Sequence, residues 1–355
     1  MTEIFKNALI GGKLVDIKVS DGKIEDIGCF ECDGIDLGKK TVRAGLIDIH
    51  SHGCMGFDTM DGDKLCEMSL HMAKNGVTSW LPTTMTESVD DIRRVVNIDI
   101  PKTNGAEIMG FHAEGPYISA KYKGAQNEKY IKNPDISEFK TFKNIKMVTV
   151  APESEGAAEF IKNCEAVVSI GHTDADYDCT VKAIKNGAMC LTHTFNAMAP
   201  LHHRNPGPIG AAFDENIFIQ VICDGLHIHE SAIRMLYKMF GSDRMILISD
   251  SMRATGLPDG EYEFGGQTVT VKNSVARVPD GALAGSTSVL MACVKKAIEF
   301  GIPEDEAFKM ASETPAKLTG VKKGKLSKGY DADFIVLDDD KRIISYVVGG
   351  RFTKV

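Results

Sequence analysis

The sequence predicts an α/β fold: a (β/α)8 barrel of the TIM type, with a small β-sandwich domain formed by the N- and C-terminal segments. Three observations predict it. Apolar strand runs alternate with helical periods through the middle of the chain, which is the signature of a parallel sheet. About eight such units span about 250 residues, the size of a TIM barrel. Both chain ends read instead as short alternating strands with tight turns, so the termini are expected to pair into one sheet.

Taken in order, KLVDIKVSDGKIEDIG (13–28) alternates apolar residues around Asp21-Gly22, a strong hairpin signal. Strand runs follow at 44–50, 77–83, 107–114 and 147–153, then at 167–172, 189–193, 218–224 and 245–250. Helical stretches or long loops separate them. DADYDCTVKAIKNG (174–187), for example, reads as a helix capped by Asp174 and ended at Asn186-Gly187. Residues 254–283 look like an inserted β-excursion, and STSVLMACVKKAIEF (286–300) like the helix after it. The last segment, ADFIVLDDDKRIISYVVGGRFTKV, repeats the hairpin pattern around Asp338–Asp340. The expected division is 1–42 plus 328–355 for the small β domain and 43–327 for the barrel. A doubly wound fold would need a phosphate-binding glycine fingerprint after its first strand, and none is present.

Composition narrows the function classes. The chain has 355 residues, 43% hydrophobic and 25% charged, which is ordinary globular usage. A net charge of -8 argues against nucleic acid or an anionic membrane surface as the main partner. The start, MTEIFKNALIGG, lacks the basic and apolar regions of a signal peptide, and no apolar run approaches the ~20 residues of a membrane span. Nine scattered cysteines do not suggest a disulfide framework, and Cys29-x-x-Cys32 lacks the second pair a zinc ribbon needs. A soluble protein of the reducing cytoplasm is expected.

Position carries the functional signal. His50, Glu114, His172, His193, Asp224 and Asp250 each fall at the C-terminal end of an expected strand. In a barrel those ends form the catalytic face. A single strand-end histidine is usually a satisfied polar residue. Five ligand-type side chains arriving from four strands, counting His52, are hard to explain that way. His50 and His52 are spaced i, i+2, so both leave the same strand face and can grip one cation. Imidazoles from His172 and His193 suit zinc, iron or cobalt, and Glu114 adds a hard oxygen able to bridge two ions or complete one site. A divalent ion so held acidifies water and polarises a carbonyl, which is hydrolytic chemistry. Asp250 then has a natural role as the general acid/base. His71, His202 and His203 read as ordinary core or loop residues. His112, two before Glu114, is a candidate supporting residue, and His227 follows the seventh strand onto the catalytic face.

These residues carry a resemblance. AGLIDIHSHG (44–53) resembles the first-strand signature of the amidohydrolase superfamily. More narrowly, GFHAEGPYIS (110–119), GHTDA (171–175), THTFNAM (192–198), CDGLHIH (223–229), ISDS (248–251) and LAGST (283–287) resemble the N-acetylglucosamine-6-phosphate deacetylase family. The resemblance implies that Glu114, His172 and His193 are the principal metal ligands, and that His50 and His52 are a second-metal pair found in some members. One or two divalent ions per subunit follow, zinc, iron, manganese or cobalt. It implies Asp250 as catalytic acid/base. Substrate contacts fall on Asn196 and Ala197, on Asp224, Gly225, Leu226 and His227, and on Leu283, Ala284 and Gly285. Arg204 matches an arginine given to the sugar phosphate across a homodimer interface. In KGAQN, Ala125 and Gln126 match a substrate-contacting pair that has His in second place in some members; Gln hydrogen-bonds a hydroxyl but carries no charge. Independently of the family, Arg is the side chain best suited to bidentate phosphate binding, although one loop Arg is ordinarily a solvated charge. The expected reaction is release of acetate from an N-acetyl amino-sugar 6-phosphate. Alternatives are the galactosamine epimer, a cyclic-amide hydrolase, which typically bridges its metals with a carboxylated lysine, and a non-catalytic scaffold, which would have lost ligands retained here.

Overall fold

The computed structural model describes residues 2–355. Eight parallel strands form the barrel wall: β1 (Leu46–Ser51), β2 (Val77–Thr84), β3 (Phe111–Glu114), β4 (Ile145–Val150), β5 (Val167–Ile170), β6 (Cys190–Leu191), β7 (Phe218–Ile222) and β8 (Met245–Ile248). Each pairs in parallel with the next in chain order. β1 and β2 are buried at every position, as strands covered on both faces must be. The ring closes between β8 and β1 just beyond the ladder. There Asp250 N donates to His50 O at 2.9 Å, and Ser51 bridges Ser251. Asp48, fully buried, accepts Ser249 Oγ at 2.5 Å across the same seam. Burial pushes the Asp48 carboxyl up to about 6 against the hydrogen bonds from Ser249 and His50 that favour its charge.

Four of the expected strands stop short of their functional residue, three of them for a common reason. His172, His193 and Asp250 have φ of 46°, 27° and 49°, left-handed values that no strand accommodates. They therefore stand two residues past β5, β6 and β8, and Asp224 stands two residues past β7. The expected run 107–114 is broken instead. Gly110 has φ +130°, and a Cβ there would meet Lys146 Cγ at 2.5 Å and Asn144 O at 2.8 Å. The helix expected to start at Asp174 spans Tyr177–Lys185, and Asp176 caps it by accepting from Cys179 N at 2.8 Å. Asp174 pairs with Lys121 at 2.7 Å, and Asn186 is the C-cap as expected.

Both chain ends contribute to one eight-stranded sheet. Its main path runs 351–354, 343–348, 334–337, 41–44, 2–10, 13–20 and 23–28. The hairpin turn at Asp21-Gly22 has φ of 48° and 75°, as a two-residue turn between twisted strands requires. The sheet has a core of its own, in which Phe5 and Phe334 meet edge to face at 5.1 Å. Lys323, 5% exposed, ties it to the barrel: its ammonium reaches Glu107 at 2.6 Å, Asp333 at 2.8 Å and Asp331 at 2.9 Å. Burial works against that charge, and the carboxylates more than offset it, so the Lys323 pKa is raised. Residues 260–277 form the expected excursion, an antiparallel three-stranded sheet. Cys29 and Cys32 are exposed and belong to no ligand cluster among the described residues. No helix is long and apolar enough to cross a membrane.

Candidate active site

At the C-terminal rim of the barrel, Glu114 sits among four imidazoles. Its Oε1 lies 3.0 Å from His193 Nε2, 3.2 Å from His50 Nε2 and 3.3 Å from His172 Nε2. Its Oε2 lies 3.2 Å from His52 Nε2. The i, i+2 spacing on β1 brings His50 Nε2 and His52 Nε2 to 3.3 Å, while His172 Nε2 and His193 Nε2 stand 3.0 Å apart. Asp250 Oδ1 completes the group, 3.3 Å from His50 Nε2 and 3.4 Å from His52 Nε2.

The second nitrogen of each ring decides what these contacts mean. His50 Nδ1 faces Gln220 Oε1 at 3.0 Å, His52 Nδ1 faces Thr83 O at 3.1 Å, His172 Nδ1 faces Tyr122 O at 2.8 Å and His193 Nδ1 faces Asn196 O at 3.2 Å. A carbonyl oxygen accepts only, so each Nδ1 bears the proton and each Nε2 presents a lone pair. Four lone pairs and a carboxylate converging with no hydrogen between them call for a cation. The donors fall into two triads, His50–His52–Glu114 and Glu114–His172–His193, each with its atoms within 4.8 Å of one another. Neutral imidazoles with a shared carboxylate suit a borderline divalent metal, so the residues fit one. Electrostatics agree. Burial opposes charge on Glu114, yet His50 and His172 hold its carboxyl well below the ordinary range. Burial likewise opposes charge on His52, yet Asp250 and Glu114 pull its pKa upward, the same attraction that would hold a cation beside its Nε2. The pocket demands positive charge.

A cavity of about 390 Å³ opens over these groups. His52, Glu114, His172, His193 and Asp250 face it, as do Ala125, Gln126, Asn196, Ala197, His227, Leu283 and Gly285. Other expected residues do not. Ala284 is fully buried and Leu226 is half exposed; neither they nor Gly225 line the cavity. Asp224 acts through a neighbour: its Oδ2 meets His227 Nδ1 at 2.7 Å, while its Oδ1 accepts from Leu226 N and His227 N. Arg204 is exposed in a separate cleft beside Tyr177 and Asp214, its Nη1 2.9 Å from His203 Nε2. His112 lies behind the site, its ring 4.6 Å from that of His50 and its Nε2 2.8 Å from Thr149 Oγ1.

The sequence reading missed several wall residues. Lys121 and Tyr122 come from the loop after β3, and Phe264 from the excursion, its ring 5.2 Å from that of His52. No motif marks them; the loop is tied to the GHTDA block by the pairing of Lys121 with Asp174 and by Tyr122 O against His172 Nδ1.

Similarity to known proteins converges on the same rim. The amidohydrolase family profile matches residues 41–353. The chain is 37% identical to N-acetylglucosamine-6-phosphate deacetylase of Bacillus subtilis (strain 168), over 98% of this chain and 93% of that protein. It is 33% identical to N-acetylgalactosamine-6-phosphate deacetylase of Escherichia coli O157:H7, over 94% and 93%. The crystal structure of N-acetylglucosamine-6-phosphate deacetylase from Pasteurella multocida superposes with a TM-score of 0.93 at 31% identity, covering all of both chains. The chain belongs to the amidohydrolase family, and within it to the N-acetylglucosamine-6-phosphate deacetylases.

Proposed function

We propose that this chain hydrolyses the acetamide of N-acetyl-D-glucosamine 6-phosphate, giving D-glucosamine 6-phosphate and acetate in amino-sugar catabolism. The observation that carries the reading is the shared Glu114 between two histidine pairs, with Asp250 beside them on the cavity wall. Glu114, His172 and His193 would hold the principal divalent ion, and His50 and His52, with Glu114, a second. Zinc, iron, manganese and cobalt all accept this donor set. When bound, such an ion supplies an acidified water and a Lewis acid for the acyl oxygen. Asp250 Oδ1 takes the proton of the attacking water and returns it to the departing nitrogen, so that water is consumed and a free amine leaves. His227, oriented by Asp224, and the Asn196–Ala197 and Leu283–Gly285 segments would position the sugar.

The test is acetate release from both C4 epimers of the phosphorylated sugar. A hydroxyl of the wrong orientation leaves a buried polar partner unmatched, worth ~1–3 kcal/mol, so the gluco epimer should be favoured about 5- to 150-fold in kcat/KM. A reversed ratio would make this the galactosamine enzyme, which the 33% relative represents. Turnover of a cyclic amide but of neither sugar would sink the reading.

The protein would work as a cytoplasmic homodimer, with Arg204 reaching the 6-phosphate in its partner's cavity. Supporting this, residues 201–205 are all exposed, and Arg204 stands outside its own cavity with no carboxylate partner among the described residues. Arg204→Ala should raise KM for the phosphorylated sugar roughly 10- to 150-fold, the equivalent of one charge-assisted hydrogen bond of ~1.5–3 kcal/mol. Mixing Arg204→Ala with Asp250→Asn under subunit exchange should restore about a quarter of the sites, since each mixed two-fold pair holds one intact site. No recovery despite demonstrated exchange would confine Arg204 to its own subunit or to no role.

A further inference from the structure

Glu114 is common to both ligand triads, so what holds each of its two oxygens bears on the cation sites. Its Oε1 is surrounded by His50, His172 and His193. Its Oε2 has a different neighbour besides His52: Gln126 Nε2 donates to it at 2.6 Å. Gln126 is 3% exposed, and its orientation is determined. Its Oε1 accepts from Thr86 N at 2.7 Å, and a main-chain N–H can only donate. The amide nitrogen must therefore face Glu114. Thr86 is fixed in turn, its Oγ1 donating to Glu114 O at 3.4 Å. Gly115 keeps that contact close: its φ is +85°, and a Cβ there would fall on Thr86 Oγ1. The hydrogen bonds thus run from the Glu114 carboxylate through Gln126 and Thr86 back to the Glu114 carbonyl. With both ends of its carboxamide engaged, Gln126 has little left for a sugar hydroxyl.

The geometry points to Gln126 as a positioning residue that sets metal stoichiometry: it holds Glu114 Oε2 beside His52 and so supports the second cation site, that of His50, His52 and Glu114. This rests on the reading of the rim as a metal centre. Oε1 stays directed at His172 and His193 without help, whereas Oε2 depends on the Gln126–Thr86 link. Partners of metal ligands typically account for about 10- to 100-fold in affinity.

The test is calorimetric titration of metal-depleted protein with Zn²⁺ and, separately, Mn²⁺, with KM measured on the reloaded enzyme. Wild-type protein should take up two equivalents. Gln126→Leu should weaken the second by about 10- to 100-fold and leave the first within a few-fold. Gln126→Asn, too short to span both partners, should do the same in a milder perturbation of the core, and serves if the leucine variant does not fold. Two unchanged binding events with a raised KM would make Gln126 a substrate contact and overturn the proposal, as would a wild-type protein that binds a single equivalent. Wild-type protein that binds no divalent ion would instead fail the metal-centre reading itself.

Discussion

Asp250→Asn is expected to cut kcat by at least about 100-fold while metal content and substrate affinity persist, the scale of a lost general acid/base. The substitution keeps the shape of the side chain and removes only its ability to take a proton. Asp250 is held by the left-handed backbone just past β8 and by the hydrogen bond its main-chain N–H donates to His50 O, neither of which needs the carboxylate. Its Oδ1 lies beside the His50 and His52 nitrogens, so an amide oxygen at the same place disturbs the cation sites little. Single-turnover acetate release, with metal content determined on the same sample, separates chemistry from binding. Near-normal turnover in the Asn variant would remove Asp250 from proton transfer.

Glu114→Gln should abolish tight metal binding and, with it, activity. Glu114 is the one donor shared by both triads, and its carboxylate is the negative charge that the buried imidazoles surround. A carboxamide offers a weaker oxygen and no compensating charge in a site with almost no solvent. His50→Gln is expected to behave otherwise. It leaves Glu114, His172 and His193 untouched, so at most the second ion is lost and measurable activity survives. Elemental analysis of both variants after gel filtration distinguishes them. If His50→Gln protein loses all metal and all activity, the ranking of the two sites is inverted.

Side-chain chemistry at strand ends was legible in the sequence; main-chain chemistry was not. The His50–His52 spacing and the strand-end positions of Glu114, His172, His193 and Asp250 sufficed to bring these groups to one rim. The acceptors that orient three of the four rings, Thr83 O, Tyr122 O and Asn196 O, are carbonyls that any residue supplies, and they leave no mark in composition or spacing. Strand boundaries were overrun for a related reason. GH at 171–172 and TH at 192–193 read as continuing strand because only the backbone registers the left-handed turn. Asp174 resembled a helix cap because it precedes the periodic run, but Asp176 is nearer and extended, and its carboxylate reaches the first turn. The resemblance makes Gln126 a substrate contact; its hydrogen bonds to Thr86 and Glu114 depend on a contact forty residues back in the chain, which no local pattern encodes.

The sheet shared by the two chain ends has a consequence for how the protein is made. The strand at 41–44, which leads directly into β1, has one of its edges completed only by 334–337, far along the sequence. During synthesis at roughly 5–20 residues per second, that edge is open until residues 334–337 have been made. Pairings of such large sequence separation form slowly. A nascent chain therefore carries an uncovered β edge next to the strand that bears His50 and His52, and the Lys323 clasp to Glu107 closes only when Asp331 and Asp333 emerge. A nonsense codon before residue 334 is therefore expected to yield a barrel with an exposed, aggregation-competent flank.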